Sequence, residues 1–122
     1  MKQVALLAFN DALATSISLP SELLTAANSV SRLDSRKAII SSEFVGLNRQ
    51  PISVSGGMEM LPSTDINNGK EYDLIIIPSR WRHPHRGAPT QPDVQRWLRS
   101  HEARGAEICA VGNGSYFLAE AG

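Results

Sequence analysis

The stretch Tyr72-Asp73-Leu74-Ile75-Ile76-Ile77-Pro78 leaves the chain few ways to fold. Four consecutive branched apolar side chains offer no polar face to water, and the closing proline cannot extend a ladder of backbone hydrogen bonds. The segment therefore reads as a strand covered on both sides. Such strands belong to parallel sheets, where crossover helices supply the cover. Residues 4 to 9, Val-Ala-Leu-Leu-Ala-Phe, have the same character and predict a second buried strand.

Helical patterns separate the strands. Ser18-Leu19-Pro20-Ser21-Glu22 looks like a helix start, with proline in the first turn, and Leu19, Leu23, Ala26, Ala27 and Val30 follow at helical spacing. A helix over about residues 19 to 31 is expected. Lys37 to Leu47 reads as a strand, and Ile52–Val54 and Met58–Leu61 around Ser55-Gly56-Gly57 read as a hairpin. After a loop from Ser79 to Pro89, Thr90 and Asp93 resemble a capping box. Val94, Trp97, Leu98 and His101 then share one face of a helix that Gly105 ends. His101 is expected to pack half-buried with its ring nitrogen satisfied. The alternation predicts one domain, residues 1–122, with a doubly wound, flavodoxin-like α/β fold on a mainly parallel sheet.

Charge narrows the function. Twelve basic and twelve acidic side chains cancel, so the chain lacks the positive surface that binds nucleic acid. No stretch approaches the roughly 20 apolar residues needed to span a bilayer, and the first apolar run ends at Asn10-Asp11 without a small-residue cleavage site. A soluble protein with no membrane partner is expected. Its single cysteine excludes an internal disulfide and suits a reducing cytoplasm.

The chain closes on Ala106-Glu107-Ile108-Cys109-Ala110-Val111-Gly112-Asn113-Gly114-Ser115-Tyr116-Phe117, an apolar strand, a glycine turn and a helix start. Many α/β enzymes lift a nucleophile above the sheet at such an elbow, two positions before a glycine. Counting back from Gly114 reaches Gly112, which has no nucleophilic atom. Two neighbours could substitute. Cys109 sits inside the strand, where a thiol is expected to behave as a small buried hydrophobe. Ser115 follows the turn, where a hydroxyl caps or packs. No catalytic residue is assigned.

A pocket on this sheet would lie beyond the carboxyl ends of the strands. Its expected lining is Asn10, Arg80, Trp81, Gly112, Asn113, Gly114 and Ser115, with elbow N–H groups suited to an anionic or carbonyl oxygen. Arg80 and Arg82 could hold a carboxylate or stand as solvated surface charges. Trp81 could cover a ligand or pack at a subunit contact. His83 and His85 lack partners at zinc-like spacing, so no metal is expected. The Gly-Asn-Gly turn is too short for a dinucleotide loop, so no cofactor is expected either.

Leu19-Pro20-Ser21-Glu22-Leu23-Leu24-Thr25-Ala26-Ala27-Asn28, Val54-Ser55-Gly56-Gly57-Met58, the Tyr72–Pro78 strand and Gly114-Ser115-Tyr116-Phe117-Leu118-Ala119-Glu120-Ala121-Gly122, in this order, resemble the class I glutamine amidotransferase-like superfamily of PfpI type. More narrowly, they resemble the N-terminal domain of AraC-type transcriptional regulators. In enzymatic members an acidic residue precedes the helix-starting proline by four places, and here that place holds Ser16. The cysteine's place holds Gly112, and Ser79-Arg80-Trp81 replaces the frequent paired glycines after the third apolar strand. The resemblance thus implies a non-catalytic module that senses a small-molecule effector and forms a homodimer. It also implies that the domain continues past Gly122 and that DNA is contacted only through a C-terminal helix-turn-helix domain outside this chain. The rival expectations are a hydrolase, lyase or hydratase using Cys109 or Ser115, and a purely structural dimer module.

Overall fold

The computed structural model describes residues 1–35, 37–81 and 91–122. In chain order the elements are β1 (Lys2–Ala8), α1 (Thr15–Ser35), β2 (Ile40–Gly46), β3 (Ile52–Val54), β4 (Met58–Met60), β5 (Thr64–Asp65), β6 (Leu74–Ile77), α2 (Pro92–Ala103), β7 (Glu107–Ala110) and α3 (Ser115–Ala121). Short 3-10 turns at Ser55–Gly57 and Gly112–Gly114 join β3 to β4 and β7 to α3. The main sheet runs β5-β2-β1-β6-β7, with every pair parallel, and β3 and β4 form a separate antiparallel hairpin. The expected α/β architecture stands. From β1 the chain winds outward through β2 and β5, then crosses to β6 and β7, so connections diverge beyond the ends of β1 and β6.

Side chains alternate across the sheet. Ala5, Leu7, Val45, Ile75 and Ile77 meet Val94, Trp97 and Leu98 of α2 and Phe117 of α3, all buried. On the other face Val4, Leu6 and Ile76 pack against Leu24 of α1, with Ile40, Phe44 and Val111 around them. The four residues expected on one face of α2 are all buried, His101 fully rather than by half. Its Nδ1 lies 2.9 Å from the Trp97 carbonyl oxygen and its Nε2 3.3 Å from that of Lys70, so a proton on Nδ1 makes the shorter bond. Thr90, half of the expected capping box, lies outside the described residues. Asp93 stands in the first turn of α2 and pairs with Arg96.

α1 departs from expectation twice. It begins at Thr15, a turn before Leu19, and carries Pro20 inside. Tertiary bonds hold that first turn: Leu13 N–H donates to the Ser79 carbonyl at 2.8 Å and Ala14 N–H to the Ser55 hydroxyl at 2.8 Å. Such fixed residues offset the cost of nucleating a helix, which local sequence cannot announce. The apolar stripe that marks the helix also points outward, against the usual inward orientation, since Leu19, Leu23, Ala26 and Val30 are exposed while Ile17 is buried. Asn28 sets this rotation. Its Oδ1 accepts from the N–H groups of Ile39 and Ile40 at 3.0 and 2.9 Å, and its Nδ2 donates to the Ile40 carbonyl at 2.7 Å. Three bonds to the start of β2 outweigh a preference spread over the leucines.

β2 is shorter than expected, and β5, a two-residue strand beside it, was not legible. Glu43 on β2 anchors a polar cluster: Tyr72 Oη donates to its carboxylate, Lys70 Nζ reaches both its oxygens at 3.0 Å, and Asn68 Nδ2 donates to Tyr72 Oη at 2.9 Å. Burial works against the Glu43 carboxylate, but these donors and the Lys70 charge outweigh it and hold its pKa below the usual value. Burial, then donation to Glu43, pushes the Tyr72 phenol up. The signs bracket neutrality. Glu43 adds stability above its unfolded pKa of about 4.3 and loses it as pH falls through its lower folded value. Tyr72 adds stability below its unfolded pKa of about 10 and loses it as pH rises toward its higher folded value. Thermal melts from pH 3 to 11 are expected to fall at both ends. Tyr72→Phe should cost about 2 kcal/mol at pH 7 and flatten both limbs.

Candidate functional site

Three strand ends meet above the sheet: Phe9 to Leu13 after β1, Pro78 to Trp81 after β6, and the elbow after β7. Isolated bridges join Ala12 to Arg80 and Ala12 to Val54, and Trp81 N–H donates to the Asp11 carbonyl at 2.6 Å. Asp11 takes φ of 65°, a left-handed conformation aspartate tolerates better than most residues. The segment after β1 is thereby clamped between the hairpin and the loop after β6.

The two elbow glycines are required for different reasons. A Cβ on Gly114 would lie 2.6 Å from the Pro78 carbonyl oxygen and 2.9 Å from that of Ile77, so backbone is pressed against backbone. Gly112 takes φ of 53°, and a Cβ there would lie 2.5 Å from Ser79 Oγ. The Ser79 hydroxyl thus fills the volume that an elbow side chain would enter. It donates to the Val111 carbonyl at 2.7 Å. Ser79 N–H donates in turn to Ser16 Oγ at 3.0 Å, and Ser16 Oγ donates to the Leu13 carbonyl at 2.7 Å. Ser16, in the position where the resemblance places an acid, therefore braces the residue that fills the nucleophile's space. From the sequence Ser79 stood only as part of the segment after the third apolar strand; its contact with residue 112 spans two strands and could not be read there.

Asn113 and Arg80 form a reciprocal pair, with Arg80 N–H donating to Asn113 Oδ1 at 2.6 Å and Asn113 Nδ2 donating to the Arg80 carbonyl at 3.2 Å. The Arg80 guanidinium lies 4.8 Å from the centroid of the Phe117 ring and 5.4 Å from that of Phe9, whose rings are themselves 4.9 Å apart. It is partly buried, and among the described residues no carboxylate comes within 4.0 Å of it. A guanidinium over aromatic faces keeps its in-plane donors for an acceptor.

The remaining expected lining is dispersed. Asn10 turns to the hairpin, its Oδ1 accepting from Ser53 N–H at 2.9 Å, and lines a separate pocket of about 120 Å³ with Asn48 and Gln50. Trp81 and Ser115 are exposed, and Arg82, His83 and His85 lie outside the described residues. Cys109 corrects an expectation: it is exposed, because β7 is an edge strand and the sheet face it occupies is not fully covered there. In register it stands beside Ile76, within the strand and short of the elbow. Among the described residues no three His, Cys, Asp or Glu side chains cluster as metal ligands, and no helix is long and apolar enough to cross a membrane.

No protein-family model matches the sequence, and no curated protein shows significant similarity to it. Solved structures do match. An AraC family transcriptional regulator from Pseudomonas putida superposes with TM-score 0.78 at 22% identity, over 98% of this chain and 69% of that one. A putative transcriptional regulator from Vibrio parahaemolyticus gives 0.81 at 21%, over 99% and 61%. A two-domain protein from Anabaena variabilis with DJ-1/ThiJ/PfpI-like and ferritin-like domains gives 0.76 at 18%, over 99% and 32%. The chain has a DJ-1/ThiJ/PfpI-like fold. It spans between about one third and seven tenths of the length of these neighbours. Within this DJ-1/ThiJ/PfpI-like fold the elbow of Gly112–Gly114 sits at the carboxyl edge of the sheet, where α/β folds of this class gather their ligands.

Proposed function

We propose that this chain is a non-catalytic effector-sensing and dimerising domain of an AraC-type transcriptional regulator, with DNA contacted by segments outside it. One observation carries the reading: the elbow position holds glycine, and the Ser79 hydroxyl occupies the space a nucleophile would need. Two of the structural neighbours, the transcriptional regulators from Pseudomonas putida and Vibrio parahaemolyticus, support the class. The effector is a small polar metabolite bound at the carboxyl ends of the strands. Arg80 anchors a carboxylate or comparable oxyanion, since its guanidinium is held by two rings and lacks an acidic partner among the described residues. Asn113 positions Arg80 rather than touching ligand, because its amide is committed at both ends.

A ligand that binds only the native state stabilises it by mass action, by about 2.7 kcal/mol at a hundredfold excess over Kd, and so raises its melting temperature. Thermal melts across amino acids, short carboxylic acids, amines and small amides are expected to show a shift of several degrees for at least one carboxylate, and Arg80→Gln should abolish it. A panel with no shift overturns sensing. The rival enzymatic reading draws on the exposed thiol of Cys109. Labelling that thiol is expected to be rapid in either case, so the deciding measurement is activity. Hydrolytic or glyoxal-consuming turnover that disappears in Cys109→Ser or Ser115→Ala would replace the binding module with an enzyme.

A further inference from the structure

Two asparagines in the chain, Asn68 and Asn113, are followed by glycine. That pairing carries its own chemistry. With no Cβ on the second residue, its backbone nitrogen can reach the asparagine Cγ, close a five-membered ring and expel ammonia. The fold treats the two pairs in opposite ways. At the elbow, Gly114 N–H donates to the Val111 carbonyl at 2.9 Å, and the Asn113 amide is committed at both ends to Arg80. Ring closure there would have to break all three bonds within a turn that leaves no room even for a methyl group on Gly114. Gly69 is exposed, with open space where a Cβ would stand, and among the described residues its N–H donates to no acceptor. Asn68 Oδ1 accepts from Lys70 N–H at 2.7 Å, so the side chain folds back across the Gly69 peptide. That donor also faces the oxygen on which negative charge develops during attack.

We propose that Asn68–Gly69 is the point at which the folded chain deamidates, that the elbow shields Asn113–Gly114 from the same reaction, and that the modification loosens the edge of the sheet at β5. The Gly69 nitrogen gives up its proton and bonds to Asn68 Cγ. The bond from Cγ to Nδ2 breaks, and the nitrogen leaves as ammonia with the proton returned to it. Water then adds across one of the two ring C–N bonds, giving aspartate or, through the other, isoaspartate, which lengthens the backbone of the turn. The consequence follows from what the amide was holding. Asn68 Nδ2 donates to Thr64 Oγ1 at 3.1 Å and to Tyr72 Oη at 2.9 Å, and both bonds are lost with the ammonia. The carboxylate that replaces it can only accept, and the single phenolic proton of Tyr72 is already given to Glu43. Two carboxylates then compete for one proton beside Thr64, the residue that pairs β5 with Val45 of β2. β5 is the outermost strand on that side, so it has no second neighbour to retain it.

Peptide mapping by mass spectrometry tests this on the full chain after incubation in warm, mildly alkaline buffer. In the native chain, aspartate and isoaspartate are expected to form at position 68 at least about tenfold faster than at position 113, and the preference should vanish in urea, where neither pair is held. Gly69→Ala, whose methyl group shields the attacking nitrogen and meets no neighbour, should slow the reaction at position 68 severalfold. Equal native rates, a faster reaction at position 113, or a native chain that reacts at neither position while both react in urea would each overturn the assignment. Asn68→Asp reproduces the product with a normal backbone. It is expected to melt several degrees below the unmodified chain at neutral pH, with faster hydrogen exchange at the Ser63 and Ile66 N–H groups, which donate to the Phe44 and Gly46 carbonyls of β2. Unchanged melting and unchanged exchange at those two groups would overturn the loosening of β5.

Discussion

Gly114→Ala is expected to abolish stable folding or cost more than about 4 kcal/mol. The new Cβ meets two carbonyl oxygens of the β6 terminus at 2.6 and 2.9 Å, and neither can turn aside as a side chain would. Relief requires the start of α3 to lift from β6. That motion would part Phe117 from Phe9 and withdraw one of the two rings beneath Arg80. Urea unfolding monitored by tryptophan fluorescence measures the loss. A cost under about 1 kcal/mol would mean that the elbow is less tightly seated than its contacts indicate.

The second large effect concerns a thiol placed at the elbow. Gly112→Cys is expected to cost about 3 kcal/mol, in two parts. A left-handed backbone costs a non-glycine residue about 1 to 2 kcal/mol, and the new side chain must also displace Ser79 Oγ, leaving the Val111 carbonyl without its donor. Adding Ser79→Gly removes the overlap but not the backbone strain, so the double variant should regain about 1 kcal/mol relative to Gly112→Cys. The coupling between the sites should therefore be clearly non-additive in a double-mutant cycle. Additive costs would mean that Ser79 does not occupy the elbow volume. Thiol labelling gives an independent readout, with the thiol introduced at the elbow expected to react faster in the double variant, where the serine no longer crowds it.

Much of the fold was legible because its cues are local. The runs at residues 4–9 and 74–77 are apolar without interruption, the Ser55-Gly56-Gly57 turn contains two glycines with positive φ, and α2 has an unambiguous buried stripe. The rotation of α1 was not legible. Both of its faces contain apolar side chains at helical spacing, and the choice between them falls to Asn28, an amide whose partners arrive only when β2 is in place. β5 escaped for a related reason, since two residues of strand are defined by their pairing with Val45 and Gly46 and not by their own composition. At the site, the glycine at the elbow position could be read by counting back from Gly114. The occupation of that space by Ser79 could not, because it depends on how β6 and β7 lie side by side.

The order of the sheet also governs how quickly it can form. β1 holds the middle place, yet it pairs with β2 and with β6, and Val4 must find Leu74 across more than half the chain. Closing loops of that length costs entropy before any contact repays it, which places the barrier at the docking of β6. Until then the only strand pairing available from near neighbours among the described residues is the β3–β4 hairpin. A chain emerging from the ribosome would therefore carry its most apolar segment, β1, with at least one edge open until Leu74–Ile77 has been made.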